Sequence, residues 1–428
     1  MKHRTVKSIV SILTGIILST CLCCRETTGS KIAAPAGLGK EQNTISLAGS
    51  WLFRLDPDNA GEQEKWFNGV LTGRTKLPGS TAENGYGDEV SVETKWTGQI
   101  VDQSWFTDAK YEKYRQPGSV KIPFWLTPIK HYVGPAWYQK QVDIPQSWTG
   151  KRIALFLERC HWQTQVWVDG TAAGAQDSLC TPQLHDLSGL MTPGKHLITV
   201  RVDNSMKYDV GTNAHSVSDH TQTNWNGVVG RIELQATDRV WVSDMQVYPD
   251  VRNKSAKLLV TIDNTTNRPV SGTLKIRAWA WNTKRRHVPT EKDVKFTASE
   301  SQSVVEVDYA MGSDVQLWDE FSPALYELTV GLTAGGDNNV FQNEKTVTFG
   351  MRQIGTKGTQ FTINDRPTFL RGTLECCIFP LTGYPPTDVK AWMRILRIAK
   401  AHGLNHLRYH SWCPPEAAFE AADRLGYM

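Results

Sequence analysis

Residues 152–170 contain Arg152-Ile153-Ala154-Leu155-Phe156-Leu157, then Thr164-Gln165-Val166-Trp167-Val168, then Asp169-Gly170. Both runs are rich in β-branched and aromatic residues, which suit a pleated, half-buried surface. Asp-Gly tolerates positive φ at little cost, so the pair marks a tight hairpin turn. The same texture extends outward. Leu197-Ile198-Thr199-Val200-Arg201-Val202 is another strand. Many short strands punctuated by Gly, Pro and Asn predict a β-sandwich over residues 44–237. The stretch 80–138 reads as long aromatic loops, and Trp96, Trp105, Trp125 and Trp137 within it argue against disorder.

Residues 238–350 predict a second, smaller sandwich. Val240-Trp241-Val242 and Met245-Gln246-Val247 open it. Lys257 to Ile262 and Thr273 to Trp279 continue the alternation. Seven or so strands in about 110 residues fit an immunoglobulin-like domain. Asn343-Glu344, between Phe341 and Val347, reads as a polar strand or turn pair without chemistry.

The period changes near residue 351. Arg366 to Gly372 reads as the start of a strand. Val389, Trp392, Met393 and Leu396 fall at helical spacing, with Gly403 as a stop signal. His406-Leu407-Arg408-Tyr409-His410 is the next strand. Pro414-Pro415 opens a second helix with Phe419, Ala422 and Leu425 on one face, ended by Gly426. Strand–helix–strand–helix opens a parallel α/β fold. A (β/α)₈ barrel needs typically about 250 residues, so residues 351–428 hold the start of one, about two units. The fold class is therefore mainly β: a jelly-roll-like sandwich, an immunoglobulin-like sandwich, then the start of a barrel. An incomplete barrel predicts an open parallel edge and an uncovered apolar helix face on Trp392, Met393 and Leu396.

The composition is that of a globular chain of two to four domains: 428 residues, 40% hydrophobic and 21% charged. Lys plus Arg is 47 against 43 for Asp plus Glu. A balance this close to neutral gives no footprint for nucleic acid or an anionic membrane. The first 24 residues differ. Lys2, Arg4 and Lys7 precede the apolar stretch Ile9–Leu18, which has signal-peptide length and is too short to span a bilayer. Leu18-Ser19-Thr20-Cys21 resembles a bacterial lipobox, with Cys21 as the lipidated residue and Thr20 as a departure from the usual small residue. The reading is export to the periplasm or outer membrane, either lipid-anchored or as plain secretion. Residues 25–43 are a tether.

Eight cysteines are present, three of them in or beside the leader. Cys160 and Cys180 lie in one predicted strand region, as a pair or as two buried thiols, with the thiols preferred. Cys376 and Cys377 are adjacent, a poor geometry for bonding each other. No Cys or His cluster has zinc spacing, and neither metal nor cofactor is expected.

The order of parts resembles glycoside hydrolase family 2, which includes β-galactosidases, β-glucuronidases and β-mannosidases. Gly49-Ser50-Trp51-Leu52-Phe53 resembles the first strand of that family's sugar-binding domain. Val166 to Gly170 resembles its central hairpin, and Arg201-Val202-Asp203-Asn204 a later strand end. Asn224 to Gly227 and Gly230 to Leu234 resemble its loop and closing strand. Trp318, Pro323, Leu325 and Tyr326 match a segment of the second domain. Phe349 to Arg352 and Ile363 to Pro367 match the passage into the barrel.

The resemblance implies a retaining exo-β-glycosidase, β-galactosidase-like, using two carboxylates roughly 5–5.5 Å apart as nucleophile and acid/base. In the family both are Glu, the acid/base following an Asn near the end of the fourth barrel strand. That strand is not among these residues, so no catalytic residue is assigned and the chain alone is expected to be inactive. The chain stops at Gly426-Tyr427-Met428, where a third strand is expected. This favours an interrupted hydrolase over a non-catalytic surface glycan-binding lipoprotein or a structural adhesin.

Two groups of residues are candidates for contact with an oligo- or polysaccharide. Arg408 and His410 end the second barrel strand, the face where barrel active sites form. The family pattern often has two residues between them; here there is Tyr409 alone. The alternative is an ion-paired Arg408 and a structural His410. Glu375, after the first strand, is a possible second carboxylate and is left unassigned. The segment Asp219-His220-Thr221-Gln222-Thr223-Asn224-Trp225-Asn226-Gly227 is dense in hydrogen-bonding groups and carries an aromatic face. Sugars need both. Asp219, His220, Asn224, Trp225 and Asn226 are its candidates, and in the family a first-domain loop reaches the barrel mouth. The alternative is a loop held by its own turns, with Trp225 buried between domains. Asp219, Asn226, Arg408 and His410 are expected to face one cleft.

Overall fold

The computed structural model describes residues 43–91, 94, 104–117, 127–211, 214–217, 219, 224–336 and 339–428. Cys21 and His220 lie outside the described residues, as do Trp96, Trp125 and the side chain of Trp105.

The first sandwich packs two antiparallel sheets. The six-stranded sheet runs in the order Thr171–Asp177, Gln163–Val168, Gly194–Asp203, Pro135–Ile144, Gly49–Leu55, Gly73–Leu77. Opposite it lie Thr44–Ser46, Gly227–Thr237, Arg152–Cys160 and Gln183–Asp186, with the short strand Gly79–Ser80 also pairing Gly227–Thr237. Side chains alternate across each strand, so one face of each sheet supplies the core. Trp51, Phe53, Tyr138, Val166, Ile198 and Val200 meet Ile153, Leu155, Leu157, Ile232 and Leu234 there. The expected hairpin is present. Asp169 and Gly170 have φ of 50° and 81°, and Thr171 pairs with Val168. Positive φ at both turn residues matches the right-handed twist of the flanking strands.

Trp137 belongs to a strand and not to a loop. It is fully buried on the outer face of the six-stranded sheet, where it stacks on Trp167 and donates to Asp56 Oδ2 at 2.9 Å. Phe67 covers Trp167 at a centroid distance of 5.0 Å. The long aromatic segment is therefore partly scaffold.

The second sandwich has three strands facing four. Val240–Asp250, Ser255–Asn264 and Gln302–Ala310 form one sheet. Lys292–Ala298, Val270–Trp281, Leu325–Gly336 and Asn339–Phe349 form the other. Leu258, Val260 and Ile262 interleave with Leu274, Ile276, Leu328 and Val330 in its core. Asn343 and Glu344 sit within the last strand. Asn343 Oδ1 accepts from Val242 N, and Glu344 pairs with Arg277 at 2.7 Å.

Beyond it, the expected strand over Arg366–Gly372 divides. Arg366–Thr368 closes a small antiparallel meander with Ile354–Lys357 and Gln360–Ile363, while Gly372–Glu375 starts a parallel pair with His406–Tyr409. The helix Val389–Ala401 connects that pair. The Asp388 carboxylate caps it by accepting from Ala391 N at 2.9 Å. A second helix, Glu416–Leu425, follows and stops at Gly426, whose φ is 64°. The described residues form this two-stranded parallel sheet and no closed barrel.

Two apolar surfaces differ from expectation. Trp392 and Leu396 are fully buried against Leu407, Ala417, Ala418, Ala421 and Tyr427. The helix face expected to be open is closed by the following helix. That helix packs through Ala417, Ala418 and Ala421, because alanines allow the backbones to approach closely, and Phe419 is left half exposed. Apolar exposure in this segment falls elsewhere, at Phe369, Leu374, Leu381 and Ile398 as well as Phe419.

Candidate functional site

The first sandwich reaches the ends of the parallel strands. His215 makes the contact. Its backbone N donates to Ser411 O at 3.3 Å, and its Nδ1 lies 3.0 Å from Cys376 O. Because a carbonyl only accepts, Nδ1 carries the proton. The His215 ring meets the His410 ring edge-on at a centroid distance of 4.4 Å. His410 N donates to Glu375 O at 2.8 Å, so both strand ends are tied together beneath this histidine pair.

Three non-glycine residues at this junction have positive φ: Ser216 at 60°, Cys377 at 57° and Ser411 at 51°. Such backbone is costly for residues with a Cβ and persists where surroundings over-determine it, which occurs often at binding sites. Glu375 adds an electrostatic feature. Its carboxylate accepts from Cys377 N at 3.0 and 3.1 Å, yet burial outweighs that bond and pushes the carboxyl up to about 7. A group poised near neutrality can hold or release a proton under ordinary conditions.

Further contacts hold the first sandwich to this segment. Arg159, buried, donates through Nη2 to Cys413 O at 2.6 Å and Cys180 O at 3.3 Å. Ser80 Oγ donates to Thr382 O at 2.6 Å, and Tyr384 Oη donates to Glu83 at 2.9 Å. Gly383 brings its backbone against Trp225, where an added Cβ would lie 3.4 Å from the Trp225 side chain. His161 supports the other side of Trp225: its Nδ1–H donates to Trp225 O at 3.0 Å, and burial holds the ring neutral with a pKa down to about 4.

The candidates from the sequence occupy different places. Asp219 is buried, accepts from Asn224 N at 2.9 Å and faces His131 Nε2 at 3.2 Å. Asn224 exchanges bonds with Asn204. The Asn226 amide lies wholly inside the first sandwich. It donates to Gly134 O and Val202 O and accepts from Tyr138 Oη at 3.0 Å. These side chains tie the loop to its own domain. Trp225 is buried beneath Tyr384, with ring centroids 5.7 Å apart. The structure thus brings the loop and His410 together, but through His215, while Asp219 and Asn226 are internal. Arg408 is exposed. It pairs in register with Leu374, and both lie on the sheet face opposite Leu407, which enters the helical core.

Sequence reading missed His215 and Arg159, and left Glu375 unassigned. His215 sits in a segment without periodicity, and Arg159 reads as an ordinary strand residue. Their partners are distant in the chain, so no local signal marks them.

The described residues form two β-sandwiches followed by a parallel α/β unit, with a loop of the first sandwich laid against the strand ends. Residues 44–237 match the family described as Glycosyl hydrolases family 2, sugar binding domain, and residues 240–352 match Glycosyl hydrolases family 2. The chain belongs to glycoside hydrolase family 2. It is 21% identical over 401 residues to a β-glucuronidase of Paenibacillus borealis, covering 89% of this chain and 57% of that protein. It is 23% identical over 408 residues to a β-galactosidase of Arthrobacter sp. (strain B7), covering 94% of this chain and 36% of that protein. Among solved structures, a glycosyl hydrolase family 2 member from Bacteroides cellulosilyticus superposes with a TM-score of 0.65 at 20% identity, covering 90% of this chain and 45% of that one. The chain spans less than three-fifths of the curated relatives just described.

Proposed function

We propose that this chain forms the substrate-binding portion of a retaining exo-β-glycosidase. In this reading the parallel pair Gly372–Glu375 and His406–Tyr409 begins a (β/α)₈ barrel, and its strand ends line the sugar pocket. The observation that carries the proposal is His215 of the sugar-binding domain seated on His410, whose backbone N donates to the backbone carbonyl of the near-neutral Glu375. A loop of one module closing over strand ends of another is how a pocket excludes water and fixes orientation.

In the proposed mechanism Arg408 and His410 hold sugar hydroxyls or a carboxylate, and His215 fixes the His410 ring. Asp219, Asn224, Trp225 and Asn226 hold the loop that carries His215. The nucleophile and the acid/base are two Glu contributed by strands other than these two, about 5–5.5 Å apart as retention requires. A non-catalytic glycan-binding lipoprotein would use the same contacts without turnover.

The test compares residues 25–428 with a chain extended to the length of its relatives, on aryl β-galactoside, β-glucuronide and β-mannoside. The short chain is expected to show no turnover, since acid–base assistance alone contributes about 10²–10⁴-fold and the covalent step is also missing. The extended chain is expected to turn over one of the three, and Arg408→Ala in it to raise KM about tenfold or more. Turnover by residues 25–428 alone would sink the assignment of the catalytic pair to other strands. Binding without turnover by the extended chain would favour the lipoprotein reading.

A further inference from the structure

We propose that Cys180 and Cys413 form a disulfide that fastens the first sandwich to the loop following His406–Tyr409. All five described cysteines are present as thiols. Cys160 and Cys377 are buried, and burial pushes both thiols well up, Cys377 to about 12, which leaves them inert. Cys413 is exposed and Cys180 is half buried, so an oxidant reaches them.

The geometry comes from Arg159. One guanidinium nitrogen, Nη2, donates to the carbonyl oxygens of both cysteines, at 2.6 Å to Cys413 and 3.3 Å to Cys180. The two carbonyl oxygens are therefore no farther apart than those two bonds laid end to end, which brings the two cysteine backbones side by side, as a disulfide requires. The Cys413 side chain is also a hydrogen-bond neighbour of the Cys180 thiol. Arg159 is buried and rigidly engaged, so it holds two segments distant in sequence side by side before any covalent bond exists. Its positive charge favours the thiolate form of Cys180, although burial works against it.

The chemistry balances with a small-molecule disulfide as oxidant. One thiolate attacks a sulfur of oxidised glutathione, releasing one glutathione thiolate and leaving a mixed disulfide. The second cysteine loses its proton and attacks the protein sulfur of that mixed disulfide, releasing the second glutathione thiolate. Two protein thiols are oxidised to one S–S bond, and one glutathione disulfide is reduced to two thiols. The bond would close three residues past His410 and hold the strand-end loop on the first sandwich.

The experiment treats the folded chain with oxidised glutathione, alkylates remaining thiols and digests with trypsin without reduction. Cys160 and Cys180 share the tryptic peptide 160–195, Cys413 lies in 409–424, and Cys376 and Cys377 lie in 372–390. The expected product joins 160–195 to 409–424, persists in Cys160→Ser, and disappears in Cys180→Ser and in Cys413→Ser. The oxidised chain is expected to melt roughly 5 °C above the reduced chain, with no such difference in Cys413→Ser. Alkylated Cys180 and Cys413 in the treated chain would overturn the proposal. So would an internal bond within 160–195, a link to 372–390, or a link that survives Cys180→Ser.

Discussion

At the residue scale, two polar side chains near the junction have opposite surroundings. The Asn226 amide is fully enclosed and bonded to Gly134 O, Val202 O and Tyr138 Oη, so its role is to bind the loop to the sandwich. The Glu375 carboxylate accepts from the backbone amides of Cys377 and Ile378 and from Trp412, yet burial outweighs them and raises its carboxyl from the usual 4.5 to about 7. The folded state then holds a proton that the unfolded state releases. This contribution to stability is fully present below about pH 4.5 and is lost as pH rises through about 7. Glu375→Gln keeps the acceptor and removes the charge, so it lacks this loss, while the other titrating groups, the buried His161 among them, act alike in both chains. Between about pH 5 and 8 the wild-type chain is expected to lose up to about 3 kcal/mol relative to the variant. Urea unfolding at pH 5 and pH 8 checks it: an equal fall in both proteins would mean that Glu375 is not the titrating group.

At the element scale, the helix Glu416–Leu425 is sealed by Gly426. The residue has φ of 64°, and an added Cβ would lie 2.6 and 2.8 Å from the Glu320 and Asp319 carbonyl oxygens of the second sandwich. The same junction carries Trp318 Nε1 donating to Asp423 O at 2.7 Å and Asn282 Nδ2 donating to Arg424 O at 2.9 Å. Gly426→Ala adds the left-handed penalty of roughly 1–2 kcal/mol to a backbone clash. It is expected to loosen the last helix, read as faster amide exchange over residues 416–428 with exchange in the first sandwich unchanged. Unchanged exchange in the helix would show that the junction yields without cost.

At the scale of the whole molecule, polar side-chain contacts join the second sandwich to the α/β segment. Arg371 and Glu320 pair at 2.6 Å, and Asn405 Nδ2 donates to Glu320 at 2.8 Å. A multidomain protein read as acting on glycans has a further property to test, its location. The basic start, the apolar Ile9–Leu18 and Cys21 predict export with a lipid on Cys21. Mass spectrometry of the mature N-terminus is expected to find Cys21 as the first residue carrying acyl mass. A retained Met1 would reject export, and cleavage without acyl mass would reject lipidation alone.

The sequence by itself determined the mainly β character, the Asp169-Gly170 hairpin, the seven strands of the second sandwich and the strand–helix–strand–helix order after residue 351. Each is written in local periodicity or in a turn that demands positive φ, and both act over a few neighbouring residues. The helix stops at Gly403 and Gly426 and the start after Pro414-Pro415 were legible for the same reason, whereas the Asp388 cap was seen only in the structure. Tertiary structure alone decided which polar residues of the 214–227 region face another module. Asp219 and His215 are both polar and close in sequence, but Asp219 turns inward to Asn224 and His131, while His215 meets His410 and Cys376. It also decided that Arg159 bridges Cys180 and Cys413, and that Ala417, Ala418 and Ala421 close over Trp392. These outcomes depend on segments far apart in the chain, whose approach is fixed by burial and hydrogen-bond satisfaction of the whole and leaves no trace in local residue spacing.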